Sequence, residues 1–281
     1  MSRHPFRQVD VFGAEPYEGN PVAVVLDAAG VDDDRMRRFS VWTNLSECTF
    51  VLPPTTPAAD YRVRIFNLET ELPFAGHPTL GTARAWVDAG GIPTAPGVVV
   101  QECGAGLVPV RVDGEEFAFA APHRIRSGPV EPELLRTVLE ILGVDPVLVR
   151  GAEWLDNGPG WIGVLLDAAE TVLGLRPDAS GWPGPWSIGA VGPAPEGSGE
   201  QFEVRAFFSD PSGALREDPV TGSLNAALAQ WLLGSGRAAA PYSARQGTAL
   251  GRHGRIRITA DEEGIWVGGR TSIAVTGAVE L

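Results

Sequence analysis

The chain has 281 residues, 44% of them hydrophobic, and a formal net charge of -13. That length buries a large core in one or two domains, and an acidic balance without a basic stripe argues against nucleic acid or an anionic membrane as partner. All 22 basic residues are arginine, which excludes Schiff-base lysines, pyridoxal-phosphate chemistry and a P-loop lysine.

Other exclusions follow from what is sparse. No apolar run approaches the roughly 20 residues of a membrane span. The opening Met-Ser-Arg-His-Pro-Phe-Arg lacks a signal peptide's apolar segment, so the expected location is cytoplasmic. The two cysteines, Cys48 and Cys103, are expected as reduced thiols. Histidines at 4, 77, 123 and 253 lack metal-ligand spacing, so a metal site is not expected.

Period-two alternation predicts a strand over residues 6–12, then a turn at Gly19-Asn20-Pro21 and a strand over 22–26. Residues 32–43 have helical spacing, with acids in the first turn and Met36, Phe39 and Trp42 as core contacts. Strands follow over 49–52 and 61–66, a helix over 79–89, and strands over 97–112 and 116–120. Beyond residue 125, helices are predicted over 132–142 and 220–233. Strands are predicted over 161–166, 186–191, 202–208, 255–260, 264–267 and 273–281. Many strands around one long helix per half give an α+β fold.

The halves share a register. Val63-Arg64-Ile65-Phe66 leads to His77-Pro78-Thr79-Leu80-Gly81-Thr82, and Val204-Arg205-Ala206-Phe207 leads to Asp218-Pro219-Val220-Thr221-Gly222-Ser223, at a constant offset of 141 residues. Proline suits a first helical turn, so both His-Pro and Asp-Pro read as helix starts. A helix N-terminus offers free N–H groups and a positive dipole end to a carboxylate. Each residue alone also has an ordinary reading, Asp218 as an N-cap and His77 as a hydrogen-bonded turn residue.

Glu47 is a third candidate. Leu45 and Phe50 flank it, and partial desolvation would suit it to general acid/base work; a solvated loop glutamate is the alternative. Glu69, Glu71 and Glu217 also lie near the motifs. Cys48 and Cys103 read as small buried hydrophobes.

At these residues the chain resembles the phenazine-biosynthesis PhzF family, of the diaminopimelate-epimerase-like fold. The resemblance rests on Gly-Asn-Pro-Val-Ala-Val-Val (19–25), Asn-Leu-Ser-Glu (44–47), Arg-Ile-Phe (64–66), Glu-Leu-Pro-Phe-Ala-Gly-His-Pro-Thr-Leu-Gly-Thr (71–82) and Glu-Asp-Pro-Val-Thr-Gly-Ser (217–223). Gln246-Gly247 and Gly251-Arg252 match a late segment. It implies two pseudo-symmetric domains, each a barrel-like sheet around a central helix. These would be residues 1–118 with 272–281, and 119–271, with the active site between them.

The resemblance further implies a cofactor-free homodimeric isomerase acting on a small carboxylated substrate. In the best-understood branch, trans-2,3-dihydro-3-hydroxyanthranilate is isomerised to an aminoketone. Glu47 would shuttle the proton, His77 and Asp218 would position the substrate and assist, and Ser46, Gly76, Gly222 and Ser223 would bind it. Related epimerases and racemases use two cysteines at the helix mouths, which this chain lacks there. An epimerase or racemase without that pair, and a non-catalytic carboxylate-binding protein, remain the alternatives.

Overall fold

A computed structural model describes residues 2–68, 70–210 and 212–281; Glu69 lies outside them. The chain forms two compact units, Met1–Ala120 with Gly268–Leu281, and Ala121–Val267. No helix among the described residues is long and apolar enough to cross a membrane.

The first unit contains β1 (Arg3–Val11), β2 (Asn20–Val25), α1 (Asp33–Thr43), β3 (Cys48–Leu52), β4 (Tyr61–Phe66) and β5 (Glu71–Leu72). It continues with α2 (Gly76–Asp88), β6 (Val98–Cys103), β7 (Gly106–Asp113) and β8 (Glu116–Ala120). The second contains α3 (Pro132–Leu142), β9 (Val149–Trp154), β10 (Ile162–Leu166), α4 (Ala169–Gly174), β11 (Ser187–Pro193), β12 (Phe202–Ser209) and β13 (Leu215–Asp218). After these come α5 (Gly222–Gly234), β14 (Tyr242–Gln246) and β15 (Gly254–Asp261). β16 (Gly264–Glu280) begins in the second unit and ends in the first.

In the first unit the strands run β1-β2-β3-β4-β6-β7-β8-β16, and β16 pairs back onto β1 to close an eight-stranded barrel. The helix α2 packs against β1, β2, β3, β6, β7 and β8, and every residue from Gly76 to Ala83 is buried. A helix buried on all sides cannot carry a polar stripe, which is why this segment reads as small and apolar. Gly81 is required by closeness: a Cβ there would stand 2.3 Å from Val22 Cγ1. Buried hydroxyls tether the helix, with Thr82 Oγ1 and Thr49 Oγ1 hydrogen-bonded at 2.8 Å and Gln101 Nε2 donating to Thr79 Oγ1 at 2.9 Å.

β2 and β3 are buried on both faces. Ala23, Val25, Cys48 and Phe50 pack with Met36 and Phe39 of α1, while the alternate residues Val22 and Thr49 meet α2. Asp32 caps α1, accepting from the Arg35 N–H. The expected core contact Trp42 is 80% exposed. The buried stripe is Met36, Phe39 and Ser40, and Trp42 falls outside that helical phase.

In the second unit the order is β9-β10-β11-β12-β14-β15-β16. Residues 121–130 bridge its ends. Ala121 N–H donates to Ile265 O at 2.8 Å, and Arg126 and Pro129 bridge to Asp156 and Glu153. Residues of α3 and α4 pack on Ile162, Val164, Ile188 and Ala190. On the opposite face, Gly189 makes room for Leu224 of α5, and Gly163 makes room for Leu155.

Three sequence expectations change. Residues 97–112 form a hairpin rather than one strand, with Cys103 paired to Gly106. The stretches 264–267 and 273–281 belong to one continuous strand. The repeat also shifts in register. β4 and β12 start 141 residues apart, at Tyr61 and Phe202, but α2 and α5 start 146 apart, at Gly76 and Gly222. Phe66 pairs with Glu71, and Phe207 with Glu217, so the second hairpin is five residues longer.

Candidate active site

The register shift decides which residues correspond. His77 lies in the first turn of α2, behind the N-cap Ala75. Asp218 is the last residue of β13, and the N-cap of α5 is Thr221. The reading of Asp218-Pro219 as a helix start is therefore corrected. Ser223 is the counterpart of His77. Asp218 pairs with Ala206 as Leu72 pairs with Ile65, which makes Leu72 its counterpart.

Strand periodicity assembles the cluster of the first unit. Asn20 opens β2 on the same face as Val22. Glu47 directly precedes β3; Cys48 faces α1 and Thr49 faces α2, so alternation carries Glu47 toward α2. There Glu47 Oε2 lies 3.4 Å from His77 Nε2, with the side chains 18% and 6% exposed. Asn20 Nδ2 lies 3.4 Å from His77 Nδ1, and Ser46 Oγ donates to Asn20 Oδ1 at 3.5 Å. With Nδ1 accepting from Asn20, the ring proton sits on Nε2, toward the Glu47 carboxylate; that tautomer is inferred from the network. Asp10, 3% exposed, accepts from the Tyr17 and Gly19 N–H groups and fixes the loop leading into Asn20.

Burial pushes the His77 imidazole down to about 3, because a low-dielectric site disfavours the charged ring. His77 is therefore neutral at pH 7, and its contact with Glu47 is not an ion pair. The unfolded chain takes up a proton near pH 6.5 that the folded protein refuses. This site's stability is complete above pH 6.5 and is lost as pH falls toward 3, by at most about 1.4 kcal/mol per pH unit. The expected ¹⁵N spectrum of His77 is a neutral Nε2–H ring, unchanged from pH 8 to pH 5. A midpoint near 6.5 would contradict this environment.

The second unit holds Asp218, Gly222 and Ser223. Thr221 Oγ1 donates to Asp218 Oδ2 at 2.6 Å. Trp161 Nε1 donates to Ser223 Oγ at 3.0 Å, and Asn157 Nδ2 donates to Ser223 O at 2.9 Å. The Ser223 hydroxyl thus accepts from within the protein and keeps its own proton for another acceptor. Gly222 is buried as the first residue of α5, as Gly76 is in α2.

Asn20, Trp161, Thr221 and Asn225 are not singled out as site residues by the sequence reading; Asn157 is, in the turn Asn157-Gly158-Pro159 before a strand, as a residue that could border a pocket. Asn20 appears in the sequence as a turn residue and within the family segment 19–25; the structure instead makes it the first residue of β2. Both cysteines are free, and burial raises both thiols above their ordinary range, which suppresses thiolate reactivity. Among the described residues, no three His, Cys, Asp or Glu side chains are grouped to hold a metal ion.

Comparison with known proteins bears on the family and the fold. The model of the phenazine biosynthesis-like PhzC-PhzF family matches residues 9–279. The trans-2,3-dihydro-3-hydroxyanthranilate isomerase of Pseudomonas aeruginosa is 33% identical, across 93% of this chain and 92% of that protein. Antisense-enhancing sequence 1 of Schizosaccharomyces pombe is also 33% identical, with 99% of each covered. The crystal structure of a PhzF family protein from Enterococcus faecalis has a TM-score of 0.81 at 24% identity, with both chains fully covered. A hydroxyproline epimerase from Agrobacterium vitis shares the fold at a TM-score of 0.58 and 13% identity, across 99% of this chain and 93% of that one. Matched over nearly its whole length, the chain belongs to the phenazine biosynthesis-like PhzC-PhzF family of isomerases and has its epimerase-like α+β fold.

Proposed function

We propose that this protein is a cofactor-independent isomerase that moves a proton within a small carboxylated, amino-bearing substrate of the trans-2,3-dihydro-3-hydroxyanthranilate type. The observation that carries the reading is Glu47: a largely buried carboxylate with a neutral imidazole 3.4 Å away. Glu47 takes a proton from one carbon, the C–H electron pair enters the conjugated system, and Glu47 returns the proton to a second carbon. Such a proton is acidified by conjugation to an enamine or carbonyl, within the range of a carboxylate base.

His77 holds Glu47 in place and, with Asp218, positions the substrate. Ser46, Gly76, Gly222 and Ser223 bind its carboxylate and polar groups. The reading carries a homodimer with it. The raised thiols of Cys48 and Cys103 speak against a two-thiol epimerase. Incubation with trans-2,3-dihydro-3-hydroxyanthranilate, without added metal or cofactor, should convert the compound to its isomer. Unchanged compound after exhaustive incubation would remove this substrate class from the reading.

A further inference from the structure

A buried amide behind Asp218 has no part in the reaction described above. Gln246 ends β14, is 0% exposed, and makes four hydrogen bonds. Its Oε1 accepts from the Thr221 backbone N–H at 3.1 Å and from Asn225 Nδ2 at 2.8 Å. Its Nε2 donates to the Asp218 backbone carbonyl at 3.0 Å and to Thr221 Oγ1 at 2.9 Å.

A backbone N–H can only donate and a backbone carbonyl can only accept, so these two bonds fix which end of the amide is which. The orientation of Gln246 then dictates the next group. Thr221 Oγ1 accepts from Gln246, so the single hydroxyl proton goes to Asp218 Oδ2, at 2.6 Å. One amide thereby sets both the backbone and the carboxylate of Asp218. The approach behind it is close: Gly247 has φ 93°, and a Cβ there would stand 2.8 Å from Pro219 O. The loop 218–221 is held against the end of β14, and β14 is registered by its parallel pairing with β12, Val204 opposite Gln246.

We propose that Gln246 is a positioning residue that aims the Asp218 carboxylate through the Thr221 hydroxyl; its effect on turnover rests on the isomerase reading above. The test uses Gln246→Glu, which keeps the side chain's shape. A glutamic acid carries at most one proton where the amide presents two, so it cannot donate to both Asp218 O and Thr221 Oγ1.

In a crystal structure of this variant, Thr221 Oγ1 should turn from Asp218 toward the new carboxyl group. A Thr221–Asp218 bond unchanged from that of the wild type would overturn the proposal, whatever the substrate proves to be. With trans-2,3-dihydro-3-hydroxyanthranilate, Gln246→Glu and Thr221→Val should each lower kcat/KM by about 10–100-fold. The double variant should fall no further than the worse single one, because residues acting in one chain are not additive. Losses that multiply would show that Gln246 only supports the fold. If the wild type does not turn over this compound, the isomerase reading fails, and the position of Thr221 in the variant still decides the proposal.

Discussion

Replacing Glu47 with glutamine should lower turnover by about 10²–10⁴-fold, the usual contribution of a general acid/base group. The amide keeps the shape and the place beside His77 Nε2, which lies 3.4 Å from the carboxylate, but it cannot take a proton from carbon. Secondary structure by circular dichroism and the thermal midpoint should stay close to those of the wild type. The loss should appear in kcat rather than KM, since the group is needed for the chemical step and not for binding. Near-normal turnover would remove Glu47 from the chemistry.

Replacing Arg205 with alanine should cost about 3–5 kcal/mol of stability, the penalty for leaving a buried charge without its partner. Arg205 and Glu217 are 7% and 11% exposed, and they meet through two parallel bonds of 3.0 and 2.7 Å. The same guanidinium donates to the Val172 and Leu175 carbonyls at the end of α4. Removing it strands a carboxylate next to Asp218 and uncaps a helix.

The equivalent pair in the first unit, Arg64 and Glu71, has the same forked geometry but is 22% and 42% exposed. Water can replace its bonds, so Arg64→Ala should cost a fraction of the Arg205 loss. Urea unfolding of the two variants measures the contrast. Equal losses would show that burial does not govern these pairs. Replacing Arg205 and Glu217 together with Met and Leu should be milder than Arg205→Ala alone, because no charge is left unpaired.

The sequence reveals most where burial is regular. α3 is readable to the residue because Pro132 opens it and Gly143, in the left-handed conformation, closes it. β2 is readable because both of its faces are covered, which leaves an unbroken apolar run. α1 is readable in extent but not in phase, and Trp42 is the casualty. The hairpin at residues 97–112 is hidden because Gly104-Ala105 is a weak turn signal inside a long β-prone stretch.

The repeat teaches a narrower lesson. Proline, glycine and an acid/base residue align without a gap at an offset of 141, yet the helices obey an offset of 146. A short motif match ran across a hairpin of different length and set Asp218 against His77. Glu47 is findable by its apolar flanks Leu45 and Phe50, His77 by the repeat, and the family motifs carry both. Gln246 appears in the sequence only within the late family segment, and its role is hidden because it depends on parallel pairing of strands distant in sequence, Phe202 beside Ala244. Nothing local to residues 242–246 encodes that neighbour.

In the proposed reaction this protein moves one proton between carbons with its own carboxylate. The most direct measurement is turnover of trans-2,3-dihydro-3-hydroxyanthranilate in heavy water, read by NMR of the product. The wild type should give isomerised product with solvent deuterium at a single carbon, and Glu47→Gln almost none. Deuterium at a stereocentre of otherwise unrearranged substrate, with loss of optical rotation, would contradict it and place the protein among the epimerases.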